Sequence, residues 1–220
     1  MDVLDLVLPE RCAICAAPGP TLCARCRASF ARLMPPLCER CGSPGAWPVR
    51  RCAECAGRRL AFAEARSAIV YDGQASRFVR SWKERGWRRL ARDAAALVAE
   101  IVPRPSVDVI LAVPGDPERA WRRGDVPSRA LAHELGRVWD LETLEVLERS
   151  RSLPRQRGLS LERRRTNVRG SVVAHHAVPS RVCVVDDVYT SGATADACAS
   201  ACRRVGARYV GVVTLARAVR

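Results

Sequence analysis

The order of hydrophobic and polar positions changes after residue 60. From there, short apolar runs rich in β-branched residues alternate with stretches in which apolar residues recur at helical spacing. The apolar runs predict strands at 65–71, 107–113, 144–147, 182–185 and 208–216. The periodic stretches predict helices at 76–82, 89–102, 128–139 and 194–205. Strands that alternate with helices indicate an α/β fold with a mostly parallel sheet.

One strand-to-helix unit carries an unusual set of polar residues. The run 182–185 is typical of a parallel strand buried on both faces, and Asp186 and Asp187 follow it in a predicted turn. Small and hydroxyl-bearing residues then form what we call the phosphate loop, which consists of Thr190, Ser191, Gly192, Ala193 and Thr194. Such a loop at a helix N-terminus presents N–H groups to an anion. The pattern predicts a phosphate site beside a diol or metal; the alternative is a surface Asp-Asp turn before an ordinary helix.

Cysteine spacing separates the first 60 residues from the remainder. Eight of the eleven cysteines form four CxxC pairs, which are Cys12/Cys15, Cys23/Cys26, Cys38/Cys41 and Cys52/Cys55. Four such pairs predict two closed, structural four-cysteine zinc sites. The short connecting loops favour sequential pairing of the CxxC turns over a cross-brace. A disulfide framework is the alternative to zinc, and a cytosolic setting disfavours it.

The domain organisation follows from these patterns. We predict a double zinc-binding module over residues 1–60, whose low apolar content leaves most of its folding energy to metal, and an α/β domain over 61–220. Replacing Cys12 with Ser is then expected to unfold the module and leave the second domain largely folded. Three further cysteines are predicted to be small buried hydrophobes, namely Cys183, Cys198 and Cys202.

Net charge points to anionic partners. The formal net charge is +14, and Lys83 is the only lysine among 37 basic residues. A basic chain attracts polyanions such as nucleic acids or phosphorylated metabolites. The sequence has no apolar run long enough to span a membrane and begins without a basic, apolar signal segment. We therefore predict a cytoplasmic protein without membrane insertion.

Residues 149–169 carry eight arginines against one acid and show no helix or strand period. A long polar excursion inside a compact domain is typical of a functional or disordered segment. Single-stranded DNA is the predicted polyanion for this segment, because arginines bind phosphates without reading sequence. The candidate contacts are Arg155, Arg157, Arg163, Arg164 and Arg165.

The acidic pair and the phosphate loop resemble the ribose-5-phosphate-binding motif of type I phosphoribosyltransferases. The whole chain resembles the ComF family, which joins a cysteine-rich zinc module to a phosphoribosyltransferase-like domain and is associated with competence for DNA transformation. Besides the CxxC array and this motif, segments 82–86 and 147–170 carry the resemblance. It implies a type I phosphoribosyltransferase-like sheet with flanking helices after a small zinc module. It also implies a role in DNA uptake, with the uptake machinery as a partner.

The resemblance also implies roles for individual residues. Asp186 and Asp187 would be the catalytic acidic pair that contacts the ribose diol of phosphoribosyl pyrophosphate (PRPP) with Mg²⁺, and the phosphate loop would hold the 5-phosphate. Hydroxyl and carboxylate oxygens suit Mg²⁺. Candidates for the pyrophosphate are Lys83, Arg119, Arg122 and Arg123.

One loop departs from the family pattern. Where the family usually shows Arg-Gly-Phe-Asn-Gln, residues 122–126 read Arg-Arg-Gly-Asp-Val, so the aromatic and both amides are missing. These missing side chains would affect the reaction at the pyrophosphate and the acceptor more than they would affect PRPP binding. Three hypotheses therefore stay open: an active phosphoribosyltransferase, a non-enzymatic single-stranded-DNA adaptor, and a PRPP-sensing regulator that does not turn over.

Overall fold

The computed structural model describes residues 10–85, 89–115, 126–150 and 171–219. Its helices are α1 (Ala24–Ala28), α2 (Gly73–Arg85), α3 (Arg89–Ile101), α4 (Pro127–Trp139) and α5 (Ala193–Arg204). Its strands are β1 (Glu64–Val70), β2 (Val109–Ala112), β3 (Glu142–Leu144), β4 (Leu147–Arg149), β5 (Val172–Ala174), β6 (Arg181–Tyr189) and β7 (Tyr209–Arg217). No helix in these ranges is both long and apolar enough to cross a bilayer.

Five strands form one sheet in the order β1-β7-β6-β2-β3, and every neighbouring pair is parallel. This confirms the predicted α/β class. The predicted strand at 144–147 is wrong, because residues 145–146 separate β3, which pairs with β2, from β4, which pairs antiparallel with β5. The final strand β7 lies between β1 and β6, and this central position explains its nearly continuous burial.

Helices cover both faces of the sheet. On one face, α2, α3 and α4 contribute Phe78, Leu90 and Leu131 to a core that also contains Cys183. On the other face, α5 packs Cys198 and Cys202 against the opposite side of β6. The alternating sides of a strand explain this division. All three isolated cysteines are fully buried, as predicted.

The cysteine-rich module covers the free edge of β1. Backbone N–H groups of Leu33 and Val70 donate to the carbonyls of Ala68 and Ala31 at 2.9 and 2.8 Å. A side chain at Gly42, which has φ +69°, would overlap the Ala65 carbonyl. Covering the edge satisfies groups that would otherwise invite another strand. The module is therefore part of the sheet's packing, while the division of the chain at residue 60 stays a prediction.

Candidate functional site

The acidic pair lies inside β6. The strand continues to Tyr189, so Asp186 and Asp187 are not in the predicted turn; Asp186 is paired in register with Thr214 of β7. The extension has a physical cause, because β7 runs to Arg217 and keeps offering backbone partners to β6. Both carboxylates still lie towards the carboxyl end of the parallel sheet, where ligands of α/β proteins bind.

Lys83 contacts this pair. Its ammonium forms an ion pair with Asp187 Oδ2, and the two side chains are 35% and 10% exposed. The lysine stands in the last turn of α2, far from the aspartates in sequence. The structure thus brings the chain's only lysine to Asp187, which precedes the first residue of the phosphate loop by three positions.

The two carboxylates differ in their surroundings. Burial, followed by repulsion from Asp187, raises the pKa of Asp186 well above 3.8. Asp187 has the Lys83 ammonium as its partner. A cation or hydrogen-bond donor would therefore stabilise the charged form of Asp186, whereas Asp187 already has a cationic partner.

The phosphate loop leads directly into α5. Gly192 is buried, has φ +72° and is the N-cap of that helix, where its carbonyl accepts the Asp196 N–H at 2.9 Å. The first N–H groups of a helix have no intrahelical acceptor, so they are available to an anion. Only glycine fits position 192, because a methyl group there would overlap the Tyr189 hydroxyl.

The sequence pattern did not predict a connected set of three residues, Tyr189, Arg217 and Glu54, of which Tyr189 lies against the loop. Tyr189 is 4% exposed, and the guanidinium of Arg217 lies 4.5 Å from its ring centroid. Arg217 is itself only 1% exposed and donates to Glu54 at 2.6 Å. The available signal was a basic residue directly after the apolar run 210–216. A charge in such a place requires a buried partner.

The cysteines form two compact clusters. The first consists of Cys12, Cys15, Cys23 and Cys26, the second of Cys38, Cys41, Cys52 and Cys55, and within each the four sulfurs lie within 4.8 Å of one another. Sulfur–sulfur distances of 3.8 Å in the first cluster and 3.5 to 4.0 Å in the second match the ~3.8 Å expected for tetrahedral zinc with ~2.3 Å bonds. The grouping is the predicted sequential one.

One sulfur in each cluster has surroundings that favour the thiolate, whereas burial raises the pKa of Cys26, Cys41 and Cys55. The Cys52 N–H donates to Cys38 Sγ at 3.3 Å. Although burial opposes ionisation, such backbone hydrogen bonds lower the pKa of Cys12 to about 6 and that of Cys38 to about 7. Thiolates are the form that binds metal. The two clusters therefore fit structural zinc.

We expect two zinc ions per chain, because each cluster supplies four converging sulfurs and leaves no position for another ligand. Metal analysis of freshly purified, reduced protein measures this directly. Cys202→Ala, which removes a buried thiol outside both clusters, should keep both ions. One ion or none in the parent protein would contradict the expectation.

A cavity of about 210 Å³ lies at the end of β2, between Pro114, Val126, Arg129 and Arg149. Arg149 Nε donates to the Pro114 carbonyl at 3.1 Å, which ties the β4–β5 pair to the start of the loop after β2. The cavity has space for a small molecule next to that loop. Most of the loop lies outside the described residues.

Several predicted site residues also lie outside the described ranges. They are Arg119, Arg122 and Arg123 for pyrophosphate, and Arg155, Arg157, Arg163, Arg164 and Arg165 for nucleic acid. Their roles stay predictions.

Comparison with solved structures gives partial alignments at low similarity. Glutamine PRPP amidotransferase from B. subtilis aligns with a TM-score of 0.40 and 21% identity over 56% of this chain and 25% of its own. A purine phosphoribosyltransferase from Pyrococcus horikoshii aligns with a TM-score of 0.36 and 19% identity over 60% of this chain and 75% of its own. Similarities of this size concern the fold alone.

Sequence relatives define the family. Residues 3–57 match the double zinc ribbon domain. The DNA utilization protein YhgH of Salmonella typhimurium is 30% identical over 228 residues, covering 96% of this chain and 99% of the relative. Competence protein F of Haemophilus influenzae is 34% identical over 116 residues, covering 50% and 51% of the two chains. The chain therefore belongs to the ComF/YhgH family of DNA utilization proteins, with a double zinc ribbon at residues 3–57 before its α/β domain.

Proposed function

We propose that the α/β domain binds PRPP with Mg²⁺ at the carboxyl end of β6. The observation that carries this proposal is the Lys83–Asp187 ion pair on the strand that leads into the phosphate loop. It puts a positive charge, two carboxylates and a helix N-terminus at one end of one strand. PRPP carries the complementary groups, which are a pyrophosphate, a ribose diol and a 5-phosphate.

Each part of the site has one task in this proposal. The N–H groups and hydroxyls of the phosphate loop bind the 5-phosphate. Asp186 and Asp187 accept hydrogen bonds from the ribose hydroxyls, and Asp186 loses its proton as ligand and cation arrive. Mg²⁺ would supply charge neutralisation for the pyrophosphate, held by ligand oxygens and the acidic pair. Lys83 exchanges part of its contact with Asp187 for the pyrophosphate.

The corresponding reaction is phosphoribosyl transfer. The bond from ribose C1 to pyrophosphate breaks, and a bond from C1 to the acceptor forms. Negative charge grows on the leaving pyrophosphate, where Lys83 stabilises it electrostatically. No described residue identifies the acceptor, so PRPP binding is the part of the proposal that the site supports best.

Replacing Lys83 with Met is expected to weaken PRPP binding about tenfold or more, because a charge-assisted hydrogen bond contributes ~1.5–3 kcal/mol. Titration calorimetry with PRPP and Mg²⁺ measures the effect. Arg80→Met is the matched control, since Arg80 is an exposed cation on the same helix. Absence of PRPP binding by the parent protein would overturn the proposed function. Equal affinities in the two variants would remove Lys83 from the site.

A second activity concerns DNA. Relatives named for DNA utilization and competence, together with the net charge of +14, favour single-stranded DNA as a further ligand and the DNA-uptake machinery as a cytoplasmic partner. Pyrophosphate release from PRPP, with candidate bases or single-stranded DNA added, distinguishes a transferase from an adaptor or a PRPP sensor. PRPP binding without release would favour the sensor.

Arg163, Arg164 and Arg165 are expected to supply much of the DNA affinity. Changing all three to Ala should weaken single-stranded-DNA binding and flatten its salt dependence, because fewer counterions are released. Anisotropy titrations at several salt concentrations measure both quantities. Changing the exposed Arg77, Arg80 and Arg92 to Ala makes a charge-matched control. Unchanged binding in the first variant would place the DNA site elsewhere, with the zinc ribbons as the next candidate.

A further inference from the structure

The side chain of Tyr189 packs against the backbone of the phosphate loop at Gly192. Tyr189 is the last residue of β6, and its ring meets the Phe62 ring edge-on with 6.3 Å between centroids. A methyl group on Gly192 would overlap its hydroxyl, so the loop backbone lies directly against this side chain. The position of the loop therefore depends on the position of the Tyr189 ring.

Arg217 in turn connects Tyr189 to the second cysteine cluster. The guanidinium stacks 4.5 Å from the Tyr189 ring centroid and donates to the Cys41 carbonyl at 2.6 Å. It also donates to Glu54 at 2.6 Å and lies 3.6 Å from Cys41 Sγ. The other Glu54 oxygen accepts from Ser43 at 3.1 Å. Cys41 and Glu54 belong to the two CxxC turns of the second cluster, and Ser43 lies two residues after the first of these turns.

We propose that Arg217 is a positioning residue, which transmits the geometry of the second cysteine cluster to the phosphate loop through Tyr189. The inference rests on the proposed function, because it assumes that the loop binds the 5-phosphate. A guanidinium has a rigid planar fork of donors, so fixed acceptors also fix its orientation over the ring. If zinc holds those acceptors in place, it also controls whether the N–H groups of the phosphate loop are positioned to bind phosphate.

The first cluster has no equivalent connection among the described residues. Near it, Phe30 packs on Phe78 with ring centroids 5.8 Å apart, and the Ala13 carbonyl accepts from Ser81 at 2.9 Å. Both contacts lead to α2, which carries Lys83, rather than to the phosphate loop. The two zinc ions are therefore expected to respond differently to a ligand at the 5-phosphate position.

Glu54→Gln tests the connection, with Glu39→Gln as the matched control. Each glutamate lies inside a CxxC turn of the second cluster, but Glu39 is exposed and only Glu54 binds Arg217. We expect Glu54→Gln to weaken ribose 5-phosphate and PRPP binding about five- to tenfold, within the usual range of coupling between sites. Pyrophosphate affinity and zinc content should stay at the parent values, which a general loss of stability would not produce.

Zinc release from the parent protein gives a second, independent measurement. Coupling between binding free energies is reciprocal, so ribose 5-phosphate should raise the affinity of the protein for one of its two zinc ions, measured by equilibrium competition with a colorimetric chelator. Glu54→Gln should remove this protection and Glu39→Gln should keep it. If Glu54→Gln loses zinc on purification, the competition measurement on the parent protein decides alone.

The outcomes separate the two levels of the proposal. A parent protein that binds neither PRPP nor ribose 5-phosphate overturns the proposed function, and this inference with it. A parent protein that binds both, with equal affinities in Glu54→Gln and Glu39→Gln, overturns only the role of Arg217. Protection of both zinc ions, or of neither, overturns it as well.

Discussion

Replacing Asp186 and Asp187 together with Asn is expected to weaken PRPP binding strongly. Each carboxylate accepts a hydrogen bond from the ribose diol in the proposed complex, and both attract Mg²⁺. Losing a charged acceptor costs ~1.5–3 kcal/mol per hydrogen bond, which corresponds to about ten- to hundredfold in affinity for each. The double variant should therefore bind about a hundredfold to ten-thousandfold more weakly in calorimetry with PRPP and Mg²⁺.

The single variants should have opposite effects on stability. The pKa of Asp186 is raised in the folded state, so the folded protein binds this proton more tightly than the unfolded chain. The contribution of this carboxyl group to the free energy of unfolding is present at acid pH and is lost as pH rises above 3.8. Asp186→Asn removes that loss and should raise the melting temperature at neutral pH, with the gain vanishing towards pH 4. Asp187→Asn removes the anionic partner of Lys83 and should lower the melting temperature.

Asp140→Asn serves as the control for lost charge. Asp140 is exposed, has φ +52°, which Asn tolerates, and precedes β3, an edge strand separated from β6 by β2. It should leave PRPP affinity unchanged. A double Asn variant that binds PRPP as tightly as the Asp140 variant would contradict the assignment of the acidic pair. If Asp186→Asn and the parent protein have the same melting temperature at every pH, the proposed difference between the surroundings of Asp186 and Asp187 is contradicted.

Loss of zinc is expected to unfold the whole described chain rather than the module alone. Structural zinc contributes on the order of 10 kcal/mol to small zinc domains, comparable to the ~5–15 kcal/mol of an entire fold. Cys12 and Phe30 belong to the same core as Phe78 and Trp82. Cys55 belongs to the core on the opposite face, with Phe62. An unfolded module would expose both cores. We therefore expect Cys12→Ser to unfold the second domain as well, whereas the sequence alone predicted that this domain stays folded.

Cys55→Ala measures this effect, with Cys202→Ala as the matched control. Both thiols are fully buried, but only Cys55 belongs to a zinc cluster. Cys55→Ala should lose one zinc ion and melt at a much lower temperature, with Trp fluorescence and far-UV circular dichroism changing together. Cys202→Ala should keep both ions and lose only the ~1–3 kcal/mol of a buried side chain. Two separate transitions in the Cys55 variant would show that the module unfolds independently.

Local pattern determined the fold class and the cysteine grouping. Buried strands such as 182–185 and the helical period at 89–102 can be identified from the sequence because each repeats over neighbouring residues. CxxC turns place two sulfurs together by local geometry, so zinc and the sequential pairing also followed from spacing. The acidic pair and the phosphate loop were identifiable for the same reason, since strand, carboxylates, loop and helix are contiguous.

Only the tertiary structure decided which distant residues meet. Lys83 reaches Asp187 because α2 packs on the sheet, and no local period encodes that distance. Strand pairing placed the carboxylates inside β6 instead of in a turn, since β7 supplies partners as far as Tyr189. The contact of Arg217 with Cys41 joins residues that are 176 positions apart in the sequence. Such long-range packing depends on the order of strands in the sheet, and this order is set by the whole core rather than by any segment of the sequence.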